Sequence, residues 1–228
     1  MTSEIELEIS EISNRLKKLH SLVTEALSQA MKAFEDLDEQ VALDAVSISA
    51  EIDQIYHTIE DMIFKTISTY QPSGPALRQF IAYNQASISL QRVGRYSNKI
   101  NEIVLRSQDL EHFKELESLP YLAELAEAAL DVAMRALLEA DLSEINELEK
   151  LEAQSDNETA EMFEEIAEYL SRRRDISEIA MYYIIVGRYF ERAADQAIAI
   201  AEAASYMITG ERTILGLAYK EEPQSLLD

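Results

Sequence analysis

A pattern that repeats within the chain constrains the fold more than any other feature of the sequence. Residues 26–34 read Ala-Leu-x-x-Ala-Met-Lys-Ala-Phe, and residues 129–137, 103 positions later, read Ala-Leu-x-x-Ala-Met-Arg-Ala-Leu. The same offset pairs Asp53 with Asp156. Self-similarity over such distances indicates a tandem duplication, in which each half is built from the same set of elements.

The last third of each half continues the repeat at a slightly shorter offset. Tyr83 pairs with Tyr183 and Arg92 with Arg192, which are 100 positions apart. The offset shortens because the Gln-Pro-Ser-Gly-Pro segment at residues 71–75 has a shorter, arginine-rich counterpart in the second half. The duplication therefore extends over three consecutive segments of each half.

Apolar residues recur at helical spacing through nearly the whole chain, and only 5 Gly and 4 Pro interrupt it. This pattern is typical of long amphipathic helices. The periodicity breaks near residues 36–40, 71–75, 107–120, 139–143, 172–175 and 209–210. We therefore predict an all-α fold with six long helices, made by tandem duplication of an antiparallel three-helix bundle. The predicted units are a first bundle at 1–107, a second bundle at 118–212 and a C-terminal tail at 213–228.

The charge of the chain excludes several classes of partner. With 43 acidic and 20 basic residues, the net charge is −23 at pH 7, which repels nucleic acid and anionic lipid surfaces. The N-terminal residues lack the basic and apolar regions of a signal peptide, and no apolar stretch is long enough to span a bilayer. We expect a cytoplasmic protein without direct membrane insertion, and the absence of cysteine agrees with a reducing compartment.

Two acid-x-x-x-acid pairs stand on helical stripes that are otherwise apolar. Glu152 and Asp156 lie one turn apart on the fifth predicted helix, and Glu191 and Asp195 lie one turn apart on the sixth. If these helices pack antiparallel, the four carboxylates converge, and they then need bound cations or must take up protons. Hard oxygen ligands suit Mg, Mn, Fe, Ca or Zn ions. The alternative is that these are ordinary solvated pairs, which 43 acidic residues produce by chance.

Sequence signals of catalysis are weak. The three histidines are scattered, and only His57, four residues after Asp53, is placed to join a carboxylate cluster. A Glu-x-x-His motif, a nucleophile elbow and a glycine-rich phosphate loop are all missing from the sequence. These absences count against a ferritin-like oxidase, a serine hydrolase and a nucleotide-binding enzyme.

Residues 90–95, Leu-Gln-Arg-Val-Gly-Arg, and residues 190–195, Phe-Glu-Arg-Ala-Ala-Asp, carry a family resemblance. They resemble the two copies of the Leu-Glu-Arg-Ile-Gly-Asp signature of the PhoU family of phosphate-signalling regulators. Tyr-Gln-Pro at residues 70–72 and the closing segment at residues 205–211 are also similar to that family. The resemblance covers about residues 5–212.

The resemblance implies two three-helix bundles, each able to hold a multinuclear metal cluster through acid-x-x-x-acid pairs on two helices. In the second bundle it implies four metal ligands, Glu152, Asp156, Glu191 and Asp195. In the first bundle the matching positions are Ser49, Asp53, Gln91 and Arg95. We therefore expect Fe, Zn, Mn or Mg ions in the second bundle only, and an Asp53–Arg95 ion pair in place of metal in the first.

The function that the resemblance implies is regulatory. A PhoU-like cytoplasmic protein exerts negative regulation of phosphate uptake and phosphate homeostasis through protein–protein contacts. The implied partners are the ATPase of a phosphate ABC transporter or a sensor kinase, and a homodimer is compatible with the sequence. We expect no enzyme activity. Two alternatives remain open at this stage: a metal-dependent helical-bundle enzyme that uses the carboxylates to activate water, and a metal-free acidic helical scaffold.

Overall fold

The structure is a computed structural model that describes residues 2–219, with the side chains of all but residues 2, 3, 46 and 47. Its six helices are α1 (Thr2–Asp36), α2 (Glu39–Tyr70), α3 (Pro75–Arg106), α4 (Ser118–Glu139), α5 (Ile145–Arg172) and α6 (Ser177–Thr209). The predicted all-α fold with six long helices is confirmed. None of the helices within the described range has both the length and the apolar character needed to cross a membrane. Residues 220–228 of the predicted tail lie outside the described residues.

The helix ends follow from local chemistry. Asp38 caps α2, because its carboxylate accepts hydrogen bonds from the backbone N–H groups of Gln40 and Val41 at 2.8 and 3.1 Å. Pro75 opens α3 at a position where a missing N–H costs nothing. Gly210 ends α6 with a φ of 77°, in the left-handed region that glycine adopts without strain. The breaks in periodicity therefore correspond to real helix termini.

The duplication is visible in the core. Tyr83 and Tyr183, which are equivalent in the repeat, are 2% and 1% exposed. Ile100 and Ile200, a second equivalent pair on the same two helices, are fully buried. Within each half, every helix packs against the other two. The two halves also share one continuous hydrophobic core, so burial in each bundle depends on the other.

The principal contact between the halves is the antiparallel packing of α3 against α6. Tyr96 stacks on Tyr189 with ring centroids 5.7 Å apart. Near the start of α3, the Arg78 guanidinium lies against the C-terminus of α6 and donates a long hydrogen bond of 3.5 Å to the Met207 carbonyl. A cation at this end of a helix is favourable because the last carbonyls lack helical partners.

The connection between the halves, residues 107–117, is fixed by His112. The Nε2 atom of His112 lies 3.0 and 3.1 Å from the carbonyl oxygens of Phe34 and Glu35, and the Nδ1 atom lies 2.7 Å from the Tyr183 hydroxyl. Two carbonyl acceptors require the proton on Nε2, so Nδ1 accepts from Tyr183. One imidazole thus joins the end of α1 to α6.

Candidate metal centre

The second half brings three carboxylates together between α5 and α6. Glu152 and Asp156 lie one turn apart on α5, and Asp195 faces them from α6. One carboxylate oxygen from each residue lies within 4.8 Å of the other two. We call these three residues the acidic cluster; they are three of the four residues that the sequence predicts as metal ligands.

Burial within the acidic cluster grades from core to surface. Glu152 is 3% exposed because it occupies the core stripe of α5, between Leu148 and Ser155. Asp156 is half-buried, and Asp195 is exposed. The innermost carboxylate is therefore largely desolvated, whereas the outermost one borders water and leaves a route by which a hydrated ion can reach the cluster.

Glu191, the fourth predicted ligand, has a different partner. Its carboxylate accepts a hydrogen bond from the guanidinium of Arg188, one turn earlier on α6. Partial burial raises the pKa of Glu191; the Arg188 charge opposes this rise, while Asp156 and Asp195 add to it. Glu191 therefore belongs to the same electrostatic environment but lies outside the acidic cluster. The sequence offered Arg188 as a signal, since a basic residue three positions before an acid is within reach on a helix.

A segment that falls mostly in the predicted tail, 213–228, borders the acidic cluster. Residues 211–219, here called the C-terminal strap, run back over α5 and α6. The backbone N–H of Leu215 donates to Glu202 and that of Gly216 donates to Glu149, both at 3.0 Å. Gly216 is buried beside the carboxylate of Glu152: a Cβ built on this glycine would lie 3.5–3.6 Å from the carboxylate atoms. The strap thus closes one side of the cluster.

The first half pairs a carboxylate with an uncharged amide at the equivalent positions. The carboxylate of Asp53 accepts a 2.7 Å hydrogen bond from the side-chain amide of Gln91. The expected Asp53–Arg95 ion pair was wrong: these two residues form none among the side chains that the structure describes, and Arg95 is exposed. Gln91 is buried opposite Asp53, whereas pairing with Arg95 would require the guanidinium to leave water. His57 is also exposed, 3.7 Å from Glu60.

The donor chemistry of the acidic cluster fits a hard cation. Three carboxylates supply oxygen ligands only, which suits Mg²⁺, Mn²⁺ and iron ions. A cation would also offset both the repulsion among the three negative charges and the desolvation of Glu152. Ser49 and Gln91 carry no charge in the first half, so that half lacks an equivalent set of ligands.

Comparison with known proteins agrees with the duplicated fold. The family model described as "PhoU domain" matches the chain twice, at residues 16–104 and 119–204. The phosphate-specific transport system accessory protein PhoU homolog 1 of Thermotoga maritima is 26% identical over 207 residues, covering 90% of this chain and 89% of the relative. The PhoU homolog of Synechocystis is 24% identical and covers 92% and 93%.

Solved structures show the same architecture. PhoU from Pseudomonas aeruginosa superimposes with a TM-score of 0.84 at 22% identity, covering 90% of this chain and 99% of that one. The phosphate transport system regulatory protein PhoU from Streptococcus pneumoniae gives a TM-score of 0.83 at 24% identity, covering 92% and 100%. Because the family model matches both halves and accounts for most of the chain, this protein belongs to the PhoU family.

Proposed function

We propose that this protein is a regulator of phosphate uptake and phosphate homeostasis that acts through protein–protein contacts. The proposal is supported by relatives named as accessory proteins of phosphate-specific transport systems, which align over about nine-tenths of the chain. The role is regulatory rather than catalytic, as the word accessory in those names suggests. Its location is the cytoplasm, where the nucleotide-binding ATPase of a transporter and the kinase domain of a sensor are accessible.

The proposal includes a metal centre formed by the acidic cluster, with Glu191 as a fourth carboxylate nearby. The single observation that supports it is that three carboxylate oxygens lie within 4.8 Å of one another, one of them on Glu152, which is only 3% exposed. Glu152, Asp156 and Asp195 would hold the ion. Its role would be structural, as a positive charge between the carboxylates, and not catalytic. Because the ion would bind carboxylates of both α5 and α6, the spacing of these helices would depend on it.

Partners of this protein are other proteins, and its charge favours basic surfaces. With a net charge of −23, association with a basic face of a transporter ATPase or sensor kinase is electrostatically steered. A homodimer is compatible with the proposal, but none of the described contacts requires one. A metal-dependent enzyme remains the competing function, distinguished by turnover that depends on the acidic cluster.

Metal binding is tested by a double substitution within the cluster. Replacing Asp156 and Asp195 with Asn keeps the side-chain shape but leaves one of the three charges. We expect Mn²⁺ affinity, measured by electron paramagnetic resonance of the free ion, to fall at least about tenfold, since carboxylate charge dominates binding of hard cations. The matched control is Asp53→Asn, the equivalent position of the first half, which should bind Mn²⁺ as the wild type does. Equal affinity in all three proteins would disprove the metal centre.

The physiological role is tested by removing the gene. We expect the deletion strain to accumulate more phosphate than the wild type in phosphate-rich medium, because negative regulation of uptake is lost. Reintroducing the wild-type gene should restore normal accumulation, and reintroducing the Asp156→Asn/Asp195→Asn variant tells whether the metal centre takes part. Unchanged uptake in both phosphate-rich and phosphate-poor media would contradict the regulatory role.

A further inference from the structure

The C-terminal strap is attached to the same two helices that supply the acidic cluster. Two of its backbone N–H groups donate to carboxylates on these helices, Glu149 on α5 and Glu202 on α6. The Tyr219 hydroxyl adds a 2.5 Å hydrogen bond to Asn146, one turn before Glu149 on α5. None of these acceptors belongs to the acidic cluster, so strap attachment and ion binding use different groups on the same helices.

Gly216 brings the strap directly against the cluster. It has a φ of 76°, which residues with a side chain rarely adopt, and it lies beside the Glu152 carboxylate. Leu215, next to it, packs on the hydrophobic core. The attached strap therefore excludes water from the inner side of the cluster.

The sign of the coupling between strap and ion follows from electrostatics. Covering a carboxylate removes it from water, and this is unfavourable for the ionised form. A bound cation reduces that penalty, because it adds a positive charge beside the carboxylate. In return, a water-excluding cover strengthens the attraction between cation and carboxylate. Thermodynamic linkage makes the two effects equal in size.

We propose that the C-terminal strap is part of the cation site, and that its closure over Glu152 and cation binding by the acidic cluster favour one another. Gly216 acts as the positioning residue, because its positive φ forms the turn that places the strap beside Glu152. This inference rests on the metal centre proposed above. It gives the cluster a regulated output: the surface formed by the strap, which exposes Ile214 and Leu217, is fixed when the ion is bound and released when the ion leaves.

Hydrogen–deuterium exchange of the full-length protein measures strap closure directly. The probe is Mn²⁺ alone, added to chelator-treated protein. We expect Mn²⁺ to slow exchange of the Leu215 and Gly216 amides about fivefold or more, the lower range of typical coupling between two sites. In Asp195→Asn, which leaves every strap hydrogen bond named above in place, Mn²⁺ should change this exchange much less.

The reciprocal effect is measured with a glycine substitution. Gly216→Val places a β-branched residue at positive φ beside Glu152, so the strap should detach and Mn²⁺ affinity should fall about fivefold or more. Gly74→Val is the matched control: Gly74 also has a positive φ, 57°, but a Cβ there would meet no atom within 4 Å, and the residue precedes α3. Affinity in that variant should equal the wild-type value.

The outcomes separate the two proposals. Mn²⁺ that binds the wild type but leaves strap exchange unchanged, or accelerates it, overturns the coupling and leaves the metal centre standing. Equal affinity in wild type, Gly216→Val and Gly74→Val also overturns the coupling. Failure of the wild type to bind Mn²⁺ overturns both the metal centre and the role of the strap.

Discussion

Asp53 and Asp156 are equivalent residues of the repeat with different neighbours. Asp53 accepts a hydrogen bond from a neutral amide, that of Gln91. Asp156 lies within 4.8 Å of two other carboxylates. The same position of the repeat therefore faces an amide donor in the first half and two carboxylates in the second.

The same substitution at these two positions should change stability in opposite directions. In chelator-treated protein, Asp156→Asn should raise the free energy of unfolding by about 1 kcal/mol, because it removes like-charge repulsion. Asp53→Asn should lower it by about 1 kcal/mol, because the bond from Gln91 loses its charged acceptor. Urea unfolding at pH 7.5 measures both.

With saturating Mn²⁺ the wild type should become more stable than Asp156→Asn, since the ion binds the folded state. Destabilisation of equal size in both metal-free variants would contradict this reasoning.

The sequence predicted three residues of the acidic cluster because carboxylates at i, i+4 spacing on a core stripe are visible in a single helix. It did not predict that Glu191 pairs with Arg188 and lies outside the cluster, since that depends on distances and solvation in the folded chain. Arg95 was expected to pair with Asp53 from charge alone, whereas burial favoured Gln91. The strap was missed because its hydrogen bonds to Glu149 and Glu202 are donated by backbone N–H groups, which carry no residue-type signal.

At the scale of helices, α1 and α4 meet along a seam between the halves that contains titratable groups. Glu127 on α4 lies in a groove lined by Lys32 and Glu35 of α1. Partial burial raises the pKa of Glu127 to about 7, with further contributions from Asp131 and Glu124. Further along the seam, burial lowers the pKa of His20 although Asp131 lies beside it.

Substitution of Glu127 should alter the pH dependence of stability. The ordinary pKa of this carboxyl is 4.5, and it is about 7 in the fold. Between these values the folded state binds more protons than the unfolded state, so the stability contributed by Glu127 is complete below pH 4.5 and is lost as pH rises through 7. Glu127→Gln should therefore raise Tm at pH 8 and flatten the decline of Tm from pH 5 to 8.

The control for this measurement is Glu161→Gln, which changes the net charge equally at an exposed position of α5. It should leave the slope of Tm against pH close to that of the wild type. If both variants flatten the slope to the same extent, the effect belongs to the net charge and not to burial of Glu127.

The helices themselves were the most predictable level of the structure. All six follow from apolar periodicity, and the turns at Leu37, Gln71 and Ala140 fall within or beside the predicted breaks. These residues have positive φ without being glycine, so a search for glycine alone would have missed them. The packing of α3 against α6 was not predicted, because a repeat defines each half but gives no information on how the halves meet.

Considered as a whole, the molecule is two bundles related by the repeat and joined by antiparallel α3 and α6. The boundaries at 1–107 and 118–212 stay a prediction, and the shared core predicts that the halves unfold together. The connection between them adds a specific tie through His112 and Tyr183. Burial raises the pKa of Tyr183, so its hydroxyl keeps the proton that it donates to His112.

Tyr183→Phe tests whether this tie contributes to the stability of both halves. The substitution leaves the stacking of Phe113 on residue 183 possible but removes the donor to the His112 Nδ1 atom. An acceptor left without a partner in a half-buried site should cost about 1–2 kcal/mol of unfolding free energy.

The repeat supplies the control, Tyr83→Phe. Among the hydrogen bonds described, the Tyr83 hydroxyl bonds only to Gln79 on the same helix, so its loss should cost about 0.5 kcal/mol. Since the core is continuous, denaturant unfolding of Tyr183→Phe should remain a single transition at a lower midpoint when followed by exchange in α1 and in α6 separately. Two separated transitions, or equal losses in the two variants, would show that the halves are stabilised independently of this contact.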